Sequence, residues 1–598
     1  MRLTRYNSAI AFAAIAGSMI LAIVFPAYAV LCAHSALANE PIDADPATAN
    51  AIKHWQELRF GMFVHWAPIS LRGVEVGWSR GSEVPADEYD ALYKQFNPAE
   101  FNADKWVAIA KSAGMRYIVF TTKHHDGFCM WPTKTADYHI GETPFRRDVV
   151  GELAAACRRE GIQFSTYYSL PDWRGPDYGL LSPGGSVKNP TPNMPRHFEL
   201  VKNQTRELLE NYGPLGVMWF DGDWEEPWTA EYGDELYGYL KKSQPSLIIN
   251  NRVSKGRLST NADGSPSGKG DFDTPEQHVG DFDRAHPWES CITIGERWSW
   301  RPDEKLKSLK SCVQTLLHAV GGDGNLLLNV GPMPNGEIEP RQASRLREMG
   351  AWLTKYGEGV YGSRGGPFKP GDWGASTCKG DKVYLFIMDW PGVGPLTLPA
   401  INQEIVAYRT LSGGEAKVAA APSGITVEFP RGQRDPVATV IELTVSERAF
   451  DIPPSPVTLR SGSLAFGRPA TASNVFAQMS EYDASRATDD DRSTRWATDD
   501  GVTTAWLEVD LGELTTISRI EIEEPEEFRR VETFQVQRYD GRQWHVLQEG
   551  EAIGSQWTRD VPPVLASRVR LIVLRSKEGP TIDEFRVFGS RGEAATTP

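Results

Sequence analysis

The sequence of 598 residues predicts a (β/α)8-type barrel, followed by a β-sandwich and then by a second β-sandwich. In the first half of the chain, short apolar strands alternate with helical segments, a pattern that implies parallel strands joined by right-handed crossovers. Five of the predicted strands end in polar or aromatic residues, as strands do at the functional face of such a barrel. Beyond residue 365, short strands with Gly/Pro turns replace this alternation.

The predicted elements of the barrel follow one another closely. We predict strands at 61–66, 117–122, 163–168, 216–221, 247–252, 291–295 and 325–331, with helices at 102–113, 149–160, 198–212 and 235–242. A doubly wound open sheet is the alternative, but no glycine-rich phosphate loop follows the first strand. The barrel is therefore the preferred interpretation.

Changes in composition divide the chain into five segments. They are a signal peptide at 1–38, the barrel at 39–364, a β-sandwich at 365–452, a second β-rich domain at 459–589 and a disordered polar tail at 590–598. A proline-rich stretch, Pro453-Pro454-Ser455-Pro456, is typical of a linker between the two β-rich domains.

The amino-terminal segment has the features of an export signal. Arg2 and Arg5 precede an uncharged stretch at 9–31, and Ala36-Leu37-Ala38 fits a cleavage site. We expect cleavage and a secreted or periplasmic protein that does not insert into the membrane. An uncleaved amino-terminal anchor is the alternative, because the apolar stretch is long enough to span a bilayer.

Charge and cysteine content limit the possible functions. A net charge of −15 argues against a nucleic-acid-binding protein, which needs clustered Lys and Arg. Cleavage would leave five scattered cysteines without C-x-x-C spacing, so neither a disulfide framework nor a zinc site is indicated, although one or two disulfides remain possible. The 19 tryptophans suit sugar binding, although most will belong to the core.

The apolar strand that ends at Asp221 marks the candidate active site. A lone Asp at the end of a strand more often caps the next helix. However, the ends of the neighbouring predicted strands carry side chains suited to binding or catalysis, namely His65, His124, His125, Tyr167 and Arg252. We therefore interpret Asp221 as a nucleophile that acts on a sugar.

Several stretches carry a resemblance to a known family. They are His65-Trp66, Lys123-His124-His125-Asp126-Gly127-Phe128, Tyr167-Tyr168-Ser169-Leu170, Trp219-Phe220-Asp221-Gly222 and Gly324-Asn325-Leu326-Leu327-Leu328-Asn329-Val330-Gly331-Pro332. Together they resemble the α-L-fucosidases of glycoside hydrolase family 29, over about residues 55–443. The resemblance implies a retaining exo-glycosidase with a barrel and a β-sandwich, no catalytic cofactor, and fucosylated glycans as partners.

The resemblance also implies roles for individual residues. Retaining hydrolysis needs a nucleophile and an acid/base ~5–5.5 Å apart. Asp221 matches the nucleophile. The acid/base is Glu276, in Asp273-Thr274-Pro275-Glu276, or alternatively Glu289, in Pro287-Trp288-Glu289-Ser290.

Other matching positions would bind the sugar. His65, His124 and His125 match fucose-binding histidines, and Tyr167, Trp219 and Arg252 match further contacts. Glu75-Val76-Gly77-Trp78 departs from an acid–Trp pair of the family, so Trp78 is the better sugar contact and Glu75 the weaker. Trp298 would help to form an apolar pocket for the C6 methyl group. Zinc binding by the three histidines is an alternative that the resemblance makes unnecessary.

The last domain resembles the discoidin-like, coagulation-factor C-type modules that bind carbohydrates. The matching stretches include Asp489-Asp490-Asp491-Arg492-Ser493-Thr494-Arg495-Trp496 and Ile582-Asp583-Glu584-Phe585. Such modules often hold a structural Ca²⁺, for which Asp489, Asp491, Thr494 and Glu584 would be the side-chain ligands. A solvated acidic turn is the alternative.

The sequence thus predicts an exported, retaining α-L-fucosidase that removes terminal α-linked L-fucose by double displacement. One alternative is a catalytically silent carbohydrate-binding or adhesion protein, which the last domain alone would support. Another is a barrel glycosidase that acts on a different sugar.

Overall fold

The structure is a computed structural model that describes residues 45–257, 268–391, 395–459, 461–492 and 494–590. The predicted signal peptide at 1–38 and most of the predicted tail lie outside these ranges. Ser590, predicted as the first residue of that tail, is instead the last residue of a strand.

The first part of the described chain alternates helices and strands. In chain order the elements are α1 Pro46–Leu58, β1 Phe60–Val64, α2 Ala86–Ala91, α3 Ala103–Ser112, β2 Tyr117–Lys123, α4 Val149–Glu160, β3 Gln163–Ser169, α5 Met194–Tyr212, β4 Val217–Asp221, α6 Ala230–Ser243, β5 Ile248–Ile249, β6 Glu289–Thr293, α7 Leu309–Gly321, β7 Asn325–Val330 and α8 Pro340–Tyr356.

Local sequence explains where these elements begin and end. Helix α4 starts after Asp148, whose carboxylate accepts a hydrogen bond from the Gly151 N–H at 2.9 Å. It ends at Gly161, which adopts a left-handed conformation with φ +67° that favours glycine. Strand β1 is buried along its whole length. Continuous burial is expected for parallel strands that are covered on both faces.

The strands form a parallel sheet in the order β5-β4-β3-β2-β1-β7-β6. Residues 271–277 lie between its two edges and connect them. Backbone bridges join Asn250 to Phe272 on the β5 side, and Asp273 to Trp288 and Glu276 to Cys291 on the β6 side. Segment 271–277 therefore completes the barrel in the place of an eighth strand, and the predicted (β/α)8-type fold is confirmed.

Two small sheets follow the barrel. The strands are β8 Arg364–Gly365, β9 Gly374–Lys379, β10 Lys382–Ile387, β11 Leu396–Leu398, β12 Ile405–Thr410, β13 Lys417–Ala421, β14 Gly424–Glu428 and β15 Thr439–Val445. One sheet has the order β12-β15-β10-β9-β8 and the other β11-β14-β13. Leu385 and Leu443 from the first sheet share a buried core with Leu396 and Ile425 from the second. This is the predicted β-sandwich.

The last part of the chain is also β-rich and has a core of its own. Its strands are β16 Ala470–Ala472, β17 Trp496–Ala497, β18 Ala505–Glu523, β19 Val531–Tyr539, β20 Trp544–Glu551, β21 Trp557–Ser576, β22 Thr581–Ile582 and β23 Glu584–Ser590. The main sheet has the order β16-β18-β21-β19-β20, with β23 also paired to β18, and β17 pairs with β22.

Across the described ranges, no helix combines the length and the apolar character that a membrane crossing requires. The five cysteines found there, Cys129, Cys157, Cys291, Cys312 and Cys378, are all buried and unpaired.

A buried carboxyl group lies at the amino-terminal end of the barrel strands. Glu289, the first residue of β6, is fully buried and accepts a short hydrogen bond from the hydroxyl of Tyr117, the first residue of β2. Burial raises the pKa of Glu289 from its ordinary 4.5 to about 8, although the hydrogen bond from Tyr117 opposes the increase. The carboxyl group is therefore protonated in the folded protein at neutral pH.

This raised pKa predicts a pH-dependent loss of stability. Between pH 4.5 and about pH 8, Glu289 is ionised in the unfolded chain but protonated in the folded one, so its contribution to stability decreases as the pH rises. Glu289→Gln cannot ionise and should lose this contribution. We expect the melting temperature of Glu289→Gln, relative to the wild type, to be higher at pH 8 than at pH 5.

Glu226→Gln provides the control, because the Glu226 side chain is 82% exposed and pairs only at the surface with Lys188. Its difference from the wild type should hardly change with pH. Parallel melting curves for Glu289→Gln and the wild type across this pH range would contradict the expectation.

Candidate active site

The carboxyl ends of the barrel strands surround a cavity that is open to solvent on one side. Asp221 is the last residue of β4, His65 follows β1, His124 follows β2, and Arg252 lies in a turn after β5. The lining residues are Phe63, His65, Trp78, His124, Tyr167, Trp219, Asp221, Trp224, Arg252, Glu276, Cys291 and Trp298. Most of the predicted site residues therefore meet in one cavity, while His125 and Glu289 do not line it.

Asp221 is bound by two neighbouring side chains. The Arg252 Nη1 donates to its Oδ1 at 2.8 Å, and the Tyr167 hydroxyl donates to its Oδ2 at 3.0 Å. Burial alone would raise the pKa of Asp221, but the charge of Arg252 and these hydrogen bonds outweigh it and lower the pKa below the ordinary 3.8. Asp221 is therefore an ionised carboxylate at neutral pH.

Arg252 connects this carboxylate to a second one. Its Nη2 lies 2.9 Å from Oε2 of Glu276, so the two terminal nitrogens of one guanidinium hold the two acids. Thr274 fixes the guanidinium further, because its hydroxyl and carbonyl oxygens accept hydrogen bonds from Nε and Nη2. The face of the guanidinium lies 4.7 Å from the ring of Trp219.

Glu276 lies at the mouth of the cavity. It belongs to segment 271–277, and its side chain is 42% exposed, compared with 13% for Asp221. Hydrogen bonds from Gln277 N–H to the Cys291 carbonyl and from Cys291 N–H to the Pro275 carbonyl fix its backbone against β6. Glu276 is thus close to both Asp221 and solvent.

The structure does not bring Glu289 to this site, contrary to its selection as the alternative acid/base. Successive residues of a strand point to opposite faces, so Glu289 and Cys291 point the same way from β6. Cys291 lines the cavity, and Glu289 is one layer deeper in the barrel, at the opposite end of the strands from Asp221. The sequence shows that Glu289 follows Trp288 but not at which end of a strand it lies.

His65 is oriented by a residue that the sequence analysis did not select. Asn329, at the end of β7, donates through Nδ2 to the Trp298 carbonyl at 2.7 Å, so its Oδ1 faces His65 Nδ1, also at 2.7 Å. His65 Nδ1 must carry the hydrogen of this bond, which leaves Nε2 as an acceptor. The Trp298 ring packs on His65, with centroids 4.9 Å apart.

The three predicted histidines are uncharged at neutral pH. Burial lowers the pKa of His65 and of His125 to about 4, and it lowers that of His124 well below its ordinary 6.5. His124 lines the cavity, whereas His125 lies behind it, with Nε2 3.7 Å from Asp221 Oδ2. Within the described ranges, no group of three or more His, Cys, Asp or Glu side chains is arranged to hold a metal ion.

Glu75 and Trp78 occupy different positions. The Glu75 carboxylate does not line the cavity but accepts hydrogen bonds from the backbone N–H groups of Trp298 and Ser299, at 3.1 and 3.0 Å. It therefore supports the loop that carries Trp298. Trp78 is 40% exposed at the mouth, beside Trp224, which was not among the predicted site residues.

The predicted calcium ligands lie in two places in the last domain. Asp489, Asp491 and Thr494 lie between β16 and β17, and Glu584 is the first residue of β23. The Thr494 hydroxyl donates to Asp489 Oδ2 at 2.9 Å, and Asp491 is exposed. Glu584 is fully buried, and neither of its carboxylate oxygens has a hydrogen-bond partner among the described residues, although Arg586 Nη2 lies 3.5 Å from Oε1. A buried carboxylate of this kind suits an oxygen-binding cation, but the described side chains of Asp489, Asp491 and Glu584 are not gathered into a metal-binding group.

Comparisons with known proteins agree with this geometry. The family model described as Alpha-L-fucosidase matches residues 30–358, and that of the F5/8 type C domain matches residues 469–585. An α-L-fucosidase from Branchiostoma floridae is 30% identical over 412 residues, which cover 63% of this chain and 88% of that protein.

Solved structures are similar as well. Alpha-L-fucosidase isoenzyme 1 from Paenibacillus thiaminolyticus aligns with a TM-score of 0.61 and 33% identity, covering 67% of this chain and all of the other. A GH29 α-L-fucosidase from Bacteroides thetaiotaomicron, solved as a trapped covalent intermediate, aligns with a TM-score of 0.59 and 29% identity, covering 66% of this chain and 96% of the other. The chain thus belongs to the α-L-fucosidase family of glycoside hydrolases and ends in an F5/8 type C domain.

Proposed function

We propose that this protein is a retaining enzyme that removes terminal α-linked L-fucose from glycans, with Asp221 as nucleophile and Glu276 as acid/base. The observation that supports these roles best is the bridge through Arg252, which binds one carboxylate through each terminal nitrogen. Two acids next to one guanidinium are compatible with the separation of ~5–5.5 Å that retention requires.

In the first step, Asp221 attacks the anomeric carbon and forms a bond to it as the glycosidic C–O bond breaks. Glu276, which must have bound a proton before this step, gives that proton to the departing oxygen, so the leaving group is released as a neutral alcohol. The product is a fucosyl ester of Asp221. Because the charge of Arg252 keeps Asp221 ionised, the attacking group needs no base of its own.

In the second step, Glu276, now a carboxylate, takes a proton from a water molecule. The oxygen of that water attacks the anomeric carbon, the bond to Asp221 breaks, and fucose leaves. Glu276 is suited to this exchange because its partly exposed side chain at the mouth can reach water. The trapped covalent intermediate of the Bacteroides relative supports a two-step course.

The buried part of the cavity would hold the fucose ring. Uncharged His65 and His124 can bond to ring hydroxyls, and His65 Nε2 is an acceptor there. Phe63 and Trp298, with ring centroids 5.9 Å apart, form an apolar wall suited to the C6 methyl group. A silent sugar-binding protein would not need two carboxylates on one guanidinium.

The F5/8 type C domain would bind carbohydrate and a structural Ca²⁺. We propose Asp489, Asp491, Thr494 and Glu584 as its side-chain ligands, because the buried Glu584 oxygens have no hydrogen-bond donor among the described residues. Binding would require these side chains to move together, since the structure does not gather them into a metal-binding group in the described ranges. The ion would hold the β23 strand and the 489–494 loop together. We also propose export after cleavage at Ala38, supported by the charged, apolar and small-residue pattern of 1–38.

The role of Asp221 can be tested by Asp221→Gly. Because this variant lacks the carboxylate proposed to form the covalent ester, we expect kcat on an aryl α-L-fucoside to fall roughly 1,000-fold or more. The melting temperature should show that the variant is folded. A nearly normal rate for Asp221→Gly would contradict the assignment of Asp221 as nucleophile. If the wild type cleaved other aryl glycosides in preference to the fucoside, its substrate would be a different sugar.

The role of Glu276 can be tested by rescue with azide. In Glu276→Ala, azide can enter the space left by the carboxylate and attack the fucosyl ester, giving fucosyl azide with the anomeric configuration of the substrate. We expect rescue on an activated aryl fucoside. Glu289→Gln is the matched control and should be neither inactivated nor rescued, whereas rescue confined to a Glu289 variant would reverse the assignment.

The calcium site can be tested by melting temperature. If Ca²⁺ binds the folded domain, chelation with EDTA should lower the transition of this domain by several degrees, and added Ca²⁺ should restore it. In Glu584→Gln this response should be lost, while Glu526→Gln, at an exposed position, should keep it. An EDTA-insensitive wild-type transition would contradict the site.

A further inference from the structure

Two exposed tryptophans at the cavity mouth have no role in the mechanism above. Trp78 is 40% exposed and Trp224 41%, whereas the aromatic residues deeper in the cavity, such as Tyr167 and Trp219, are at most 2% exposed. Single exposed apolar side chains are common on protein surfaces. Two large rings together at the mouth of a catalytic cavity are a different case, because adjacent exposed apolar surface marks a binding site.

The two rings are held in a common orientation. Their planes are inclined by only 14°, and their centroids are 6.5 Å apart. His125 packs edge-on against both, with centroid distances of 5.7 Å to Trp78 and 5.6 Å to Trp224. Trp173 supports Trp78 from another side, with centroids 5.3 Å apart. The pair is therefore ordered before any ligand arrives.

The same histidine places the pair relative to the nucleophile. His125 Nε2 lies 3.7 Å from Asp221 Oδ2, so one buried ring contacts the attacking carboxylate and both tryptophans. Glu276, which must reach the oxygen of the scissile bond, lies at the same mouth. A leaving group attached to that oxygen has to pass the mouth, since the sides and floor of the cavity are buried.

We propose that Trp78 and Trp224 form a platform for the leaving group, one that selects substrates in which fucose is attached to a ring with a flat apolar face. A pyranose ring of a glycan or an aromatic ring meets this requirement through contact of its C–H or π face with the indoles. The inference rests on the proposed function, because the platform needs a leaving group beside Glu276. It assigns Trp224 to substrate selection and moves Trp78 from fucose binding to the leaving-group side.

The test compares substrates that share fucose but differ in the leaving group. Fucosyl fluoride releases a single atom, 4-nitrophenyl fucoside releases an aromatic ring, and a fucosyl disaccharide releases a pyranose. For Trp224→Ala we expect kcat/KM to fall about 10-fold or more on the last two and to stay within about 2-fold on the fluoride. Trp224→Phe, which keeps a ring, should recover much of the loss.

Trp298→Ala is the matched control, since Trp298 packs on His65 inside the cavity. It should reduce kcat/KM on all three substrates by a similar factor. The double variant Trp78→Ala, Trp224→Ala should extend the selective loss of Trp224→Ala, and its melting temperature should confirm folding.

Equal losses on all three substrates for Trp224→Ala would overturn the platform, and so would the absence of any loss. Those results would leave the fucosidase assignment intact, because the wild type would still hydrolyse fucosyl fluoride. A wild-type protein that hydrolyses none of the three would remove the proposed function and the platform together.

Discussion

The buried guanidinium of Arg252 is the group on which the active site depends. An isolated buried cation is costly, and here Asp221, Glu276 and the oxygens of Thr274 compensate for its loss of water. The same contacts fix the positions of the two acids and lower the pKa of Asp221. Removing one partner would leave charge uncompensated, so the arrangement is kept as a unit.

Segment 271–277 both closes the barrel and positions Glu276. Segment 271–277 connects β5 to β6 through backbone bridges, and it carries both Thr274, which binds Arg252, and Glu276. Arg252 itself follows the short strand β5. The hydrogen bonds that close the sheet therefore also bring Glu276 close to Asp221, without a separate loop to position it.

Sequence patterns predicted the first half of the barrel well. Helix α4 was predicted at 149–160 and observed there, because Asp148 and Gly161 mark its ends. Strands β1 to β4 were predicted within two residues, since each is a short apolar run between a glycine or a polar residue and a functional side chain. The predicted strand at 247–252 is limited to Ile248–Ile249, because Arg252 turns into the site.

Other features depend on contacts between distant residues, which the sequence does not show. Helices α1, α2, α7 and α8 were not predicted, and segment 271–277 carries no periodic pattern. The choice between Glu276 and Glu289 depended on which end of the barrel each one faces, and Asn329 acquires its role only through His65 and Trp298.

The replacement of an eighth strand by a segment with few bridges has an evolutionary consequence. Residues of this segment other than Thr274 and Glu276, on the side proposed to face the leaving group, can diverge under selection while the strands that line the cavity stay unchanged.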